Sequence, residues 1–440
     1  SVYIIANTAF CASCALLLHL ALNPTISPKY AIDRGSSEKP SFGSYSVGRS
    51  KDTVAFYMAM QHASVSQRNS IFDFIDIYVA VSENSNLSVL RAYVATASSP
   101  KDRVKALSLG IGMFVLGLSV GPAVMLIFTP LGADGFHLGW FPVTMYNLPA
   151  LIMVLIAIIA LALLFTSFQE QYAGIIKEKD SSSDVVVPKF DKTAAIICIG
   201  FWFISQCVAT NYEALMNPLT MALYNWNNDQ AILYNGIIIF ASTAICFSIY
   251  LIIGLTRVGE FDKRKMIAFG LGTFTLYHLI NIPWPFYSGP LDYMPLEENA
   301  TVEDTSLHGG CFRRYEWCAH TTRVPLPLFI FAATVLTGIS FPNIGSPTGT
   351  LFSEILGPRN QGFMQGLFAF FGSFGRFVGP IISTELFERS GYLLPMVILL
   401  TMLAIAIVTL IVFRNRLVCL QLIPPVGVAT PYKHGTFYRL

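Results

Sequence analysis

Three charged residues stand out within candidate membrane segments, and a charge near the bilayer centre costs about 2.5–3.5 kcal/mol on insertion scales. Arg376 lies fifteen residues into the apolar segment that begins at Gln361, or ~22 Å at the helical rise of 1.5 Å per residue. At that depth its guanidinium cannot easily reach water. This marks it for a solute or gating pathway, with a structural ion pair as the competing reading. Glu213 stands near the outer end of its segment and Arg91 six residues from the end of its own. Both are pathway candidates, although Arg91 is equally placed to snorkel. By sign, Arg376 has Glu213 and Glu385 as acids to pair with. Glu385 is nine residues further along the same segment, ~13 Å away, which counts against it. Gln206 and Asn211 share the Glu213 segment and add uncharged polar groups, which also serve as ordinary cross-helix bonds. Asn343 lies in the run GISFPNIGSPTG, where Gly338, Pro342, Gly345 and Pro347 predict an interrupted helix. Such breaks free backbone groups that transporters use to hold ions or substrates, and the alternative is a kink needed only for rocking. An arginine-lined path suits an anion.

Other chemistries find less support. Cys311 and Cys318 have six residues between them and suit a disulfide in an oxidising compartment. His308 and His320 flank them and leave a zinc site as the alternative. Asn299-Ala300-Thr301 is an N-glycosylation acceptor in the same loop, whereas Asn86-Leu87-Ser88 falls in a membrane segment. Cys11 and Cys14 lie in an apolar run and read as packing residues. Cys198, Cys207, Cys246 and Cys419 show no catalytic context. There is no phosphate-binding glycine loop, dinucleotide fingerprint or nucleophile elbow. The sequence therefore encodes neither an enzyme nor a cofactor site, and any transport must be driven by gradients.

These residues need a membrane to position them. The chain has 440 residues, of which 54% are hydrophobic and 12% charged, against about 25% charged in soluble domains. Its mean hydropathy is +0.57. The net charge of +2 comes with no basic block, so the partner is the lipid bilayer and not nucleic acid. Apolar runs predict spans at 106–128, 145–166, 193–215, 231–255, 266–286, 324–345, 361–387 and 392–413, with further candidates at 2–22 and 66–97. Long unbroken runs without alternation exclude a barrel. The loops before residue 106, at 167–192 and at 256–265 are rich in Lys and Arg, and those at 129–144 and 216–230 have none. The basic loops and the C-terminal tail are then cytoplasmic, and 287–323 faces the lumen or exterior.

An internal repeat orders the spans. Pro100–Pro122 lies without gaps on Pro358–Pro380, and Gly117, Gly121 and Pro122 match Gly375, Gly379 and Pro380 at an offset of 258. Both copies end in Gly-x-x-x-Gly-Pro. Such spacing also arises wherever membrane helices pack closely, but two tandem halves explain the full match better. The offset maps 266–286 onto 8–28 and 324–345 onto 66–87, and it sends 193–215 and 231–255 to positions before residue 1. The reading is of about ten spans in an all-α transmembrane fold of two six-helix halves, with counterparts of the first two helices apparently missing. Residues 1–166 form the incomplete N-terminal half, with 36–82 an atypical insertion or loop, and 29–65 is expected to be poorly ordered. Residues 167–192 form a central loop, 193–413 the complete C-terminal half, and 414–440 a cytoplasmic tail.

The Gly-x-x-x-Gly-Pro resembles the helix-five motif of the major facilitator superfamily. The stretches Asn217–Ala241, Gly310–Cys318, Ile355–Gly379 and Arg91–Arg103 are similar to a lysosomal member, and the resemblance covers about 84–415. Gly254, Asp262, Arg264 and Lys265 are a weak second-half echo of the basic loop motif. The resemblance implies two halves rocking about a midplane site, with the helices of Glu213 and Arg91 lining the cavity. It also implies an endolysosomal membrane and a small solute or anion, chloride among them, as cargo. Residues 36–82 depart from the family. With the first helices absent, a non-transporting membrane scaffold or partner-binding subunit is the alternative.

Overall fold

Local capping chemistry sets the helix boundaries. The computed structural model describes residues 91, 94, 98, 103–128, 136–138, 141–143, six positions between 152 and 166, and then 188–295, 308–359, 361–421, 430–432 and 435–437. Expectations for 2–22, 29–65 and 66–90, for Cys11, Cys14 and Asn86, and for Asn299 lie outside these residues. Helix α1 runs Arg103–Phe128. Helix α2, Lys192–Tyr224, starts on Asp191, whose carboxylate accepts from the amides of Thr193 and Ala194, and ends on Asn225 in the left-handed region at φ 55°. Helix α3, Asn228–Leu255, opens with a reciprocal capping box between Asn227 and Gln230. Helix α4, Lys263–Asn281, is capped by Asp262. It stops short of the expected residue 286 because Pro283 and Pro285 follow.

Helix α5, Leu326–Leu356, is 31 residues long and corrects the sequence reading. It runs unbroken in α-helical form from Thr337 through Pro342 and Pro347. Its irregularity sits upstream, in a π turn over Ala332–Leu336. In lipid the freed backbone groups have no water to turn to, so neighbouring helices and Ser/Thr side chains hold a proline-bearing helix together. Helices α6, Gly362–Ser390, and α7, Leu393–Val412, complete the set. By length and composition α2, α3, α5, α6 and α7 are each able to cross a membrane. Each copy of the repeat ends within one continuous helix, Pro122 inside α1 and Pro380 inside α6. Residues 152, 155, 158, 159, 162 and 166 are helical too, and Leu155 and Ile158 stand well exposed, as a lipid-facing stripe would. Two short antiparallel ladders, Phe136–Leu138 with Phe141–Val143 and Thr430–Tyr432 with Gly435–Phe437, are the strands among the described residues.

The chain packs as two compact units: residues 1–99, 109–175 and 360–369 form the first, and 100–108, 176–359 and 370–440 the second. In the first, Arg91 is 5% exposed and its guanidinium lies 5.8 Å from the Phe368 ring centroid. In the second, the described parts of the connection between α4 and α5, 282–295 and 308–325, fold into a cap on one end of the helices. Cys311 is disulfide-bonded to Cys318, Met294 and Cys311 pair through their backbones at 2.9 Å, and Gly310 N–H reaches the Met221 carbonyl of α2. The Tyr224 and Tyr392 hydroxyls donate to the Val324 and Thr322 carbonyls. At the other end Arg416 grips Asp191 through two bonds of 2.8 and 3.1 Å, and Arg264 donates to the Arg414 carbonyl. Buried Glu354 takes Lys263 at 3.0 Å, the Cys419 thiol at 3.0 Å and, at its carbonyl, the Leu420 amide. Lys105 pairs with Glu260 there, and Ser108 bonds Ser346. The described residues of the basic loops, with 414–421, thus share one end of this unit, and the cap takes the other.

Candidate functional site

Helices α2 and α6 approach closely because glycine lines the contact. A Cβ built on Gly375 would stand 2.7 Å from the Phe203 carbonyl, and one on Gly379 would stand 3.1 Å from both Asn211 Nδ2 and Thr210 Oγ1. Small residues let membrane helices come together with their backbones nearly touching. The Cys207 thiol donates to the Gly375 carbonyl across the seam at 3.4 Å.

That seam brings Arg376 to Glu213. Arg376 Nη2 lies 3.8 Å from Glu213 Oε2, with the two side chains 40% and 55% exposed. The other acid, Glu385, pairs instead with Arg389 one turn on. The partly open pair leaves the guanidinium with donors to spare. Such an arrangement holds a cation and an anion ready for a polar solute while keeping the local net charge near zero.

The same turn of α2 carries Asn211 and Tyr212. Asn211 Nδ2 donates to the Cys207 carbonyl at 2.7 Å, and its Oδ1 is buried without a hydrogen-bond partner. It lines a small cavity with Tyr212, Met216, Tyr277, His278 and Met396. The His278 Nδ1 donates to the Phe274 carbonyl at 2.8 Å. Gln206 is buried one turn earlier on α2. Asn343 turns back on its own helix and donates to the Ile339 carbonyl.

The structure therefore joins Arg376 and Glu213 directly and sets Asn211 in the same turn of α2. Arg91 belongs to the other unit. Of the motif residues, Gly375 and Gly379 form the α2–α6 contact, Pro380 lies inside α6, and Gly117, Gly121 and Pro122 lie inside α1. Tyr212, His278 and Glu354 escaped the sequence reading. Glu354 lay beyond the expected end of its span at 345, and a tyrosine or histidine in an apolar segment gives no periodic signal.

The fold is similar to that of solved major facilitator transporters. The human organic anion transporter MFSD10 superposes with a TM-score of 0.55 at 15% identity, covering 93% of this chain and 83% of that one. The transporter FucP, in its outward conformation, gives 0.52 at 11% identity over 94% and 99%. In sequence, the chain is 27% identical over 363 residues to major facilitator superfamily domain-containing protein 8 of Xenopus laevis, spanning 76% of this chain and 70% of the relative. No family model matches the chain.

Proposed function

We propose that this protein is a gradient-driven transporter of a small solute or anion, chloride among the candidates, working by alternating access in an endolysosomal membrane. The observation that carries the reading is the half-open Arg376–Glu213 pair on two glycine-packed helices. Uniform apolar packing would be cheaper at that depth, so a retained charge pair marks a pathway. The sequence resemblance to a lysosomal member of the family supports the compartment, and the fold shared with the organic anion transporter MFSD10 makes anions a natural first probe. In this reading 193–413 is the C-terminal half, the tail is cytoplasmic, and the cap with Cys311–Cys318 and Asn299 is luminal.

Chloride flux into vesicles containing purified protein tests the assignment. Arg376→Gln is expected to lose most flux at normal expression and trafficking. Arg376→Lys is expected to keep part of it, because lysine retains the charge but not the planar fork. Retention of both variants early in the secretory pathway would make Arg376 a structural clamp.

A further inference from the structure

Within α5 the π turn leaves one carbonyl without its usual donor. The Thr337 N–H bonds to the Ala332 carbonyl, five residues back, and to that of Thr334, whereas in a regular α-helix it would go to Ala333. Two hydroxyls reach the Ala333 oxygen instead: Tyr212 of α2 at 3.0 Å and Thr337 at 2.6 Å. Thr337 Oγ1 in turn lies 2.8 Å from Ser242 of α3. A Cβ on Gly338 would stand 2.7 Å from the Ser242 carbonyl, so α3 and α5 nearly touch there. The Tyr212 ring stands edge-on to Tyr277 of α4 at 5.9 Å.

Single π turns inside helices occur often at functional sites, and this one is fastened to the turn of α2 that bears Glu213. Thr210 and Asn211 face Gly379 of α6, Tyr212 holds the π turn, and Glu213 faces Arg376. We propose that Tyr212 is the positioning residue of the pair. Its hydroxyl locks the rotation of α2 against the π turn, so Glu213 stays opposite Arg376 and any straightening of the π turn is transmitted to the pair. Phenylalanine at this position keeps the ring packing and removes only the bond to Ala333. This inference rests on the pathway reading of Arg376, so its test needs one readout that does not depend on transport.

The first readout is hydrogen exchange of the 332–337 amides in full-length protein in lipid nanodiscs. Tyr212→Phe should speed it roughly three- to tenfold, the worth of one hydrogen bond, and unchanged exchange would overturn the proposal. The second is chloride flux in a double-mutant cycle. Tyr212→Phe alone should lower flux by a similar factor, and it should cost nothing further in the Arg376→Gln background. Equal fractional losses in both backgrounds would show a role independent of the pair and overturn the proposal. If Arg376→Gln itself leaves flux intact, the pathway reading fails, and the exchange result then decides alone whether Tyr212 holds the π turn.

Discussion

The two ends of the second unit are fastened by different chemistry. At the cap end a disulfide and backbone pairs close the connection on itself, and the Gly310 amide with the Tyr224 and Tyr392 hydroxyls ties its described parts, 282–295 and 308–325, to α2 and the start of α7. Trp317 adds an aromatic plug, packed edge-on to Phe387 at 5.3 Å and against Gly391 at φ 71°. At the basic end the ties are ionic: Arg416 to Asp191, Lys263 to Glu354 and Lys105 to Glu260. Covalent and aromatic contacts do not exchange partners easily, whereas the solvent-accessible Arg416–Asp191 and Lys105–Glu260 pairs cost little to break, and Lys263–Glu354 is the more buried tie. The cap end thus relies more on covalent and aromatic contacts, and the basic end more on ion pairs.

The largest effect should come from the cap. Cys311→Ser opens a short covalent loop and should cost roughly 2–3 kcal/mol on chain-entropy grounds, read as a lower unfolding temperature in detergent. If the melt is unchanged, the cap is held by its aromatic and backbone contacts alone, and the contrast between the ends weakens. Glu354→Gln at the basic end removes the charge that Lys263 and the Cys419 thiol share, and should cost about 1–2 kcal/mol. It should also speed exchange of the Leu420 amide, which a purely local defect would leave alone.

A smaller effect concerns pH. The Asn225 amide, and then Arg323, hold the Asp292 carboxyl below the usual carboxylate range. A depressed pKa adds stability above the unfolded value, near 3.9, and loses it as pH falls through the folded one. The cap should therefore keep this tie from pH 7 to about 5. Asp292→Asn should lower stability at neutral pH by less than about 1 kcal/mol, because the carboxylate is largely exposed. The gap between variant and parent should close only below about pH 4. A gap that closes between pH 7 and 5 would mean that some other group governs the cap.

Much of this was legible in the residues. Apolar runs mark the helices, and depth with sign pairs Arg376 with Glu213 rather than with Glu385. Pro342 and Pro347 misled, because packing against α2, α3 and α4 holds a helix that the local sequence would break. The π turn has no signal of its own: Ala332–Leu336 reads as ordinary helix, and the Tyr212 hydroxyl that meets it comes from another helix. Glu354 was hidden for a related reason, since the helix carrying it runs eleven residues past the expected end.

The central claim is transport by alternating access, and its most direct test is chloride exchange in vesicles reconstituted with purified protein. Flux should exceed that of protein-free vesicles, saturate with chloride concentration and accelerate when chloride is also present on the opposite side. Rates equal to protein-free vesicles, for chloride and for a panel of small organic anions alike, would contradict the account.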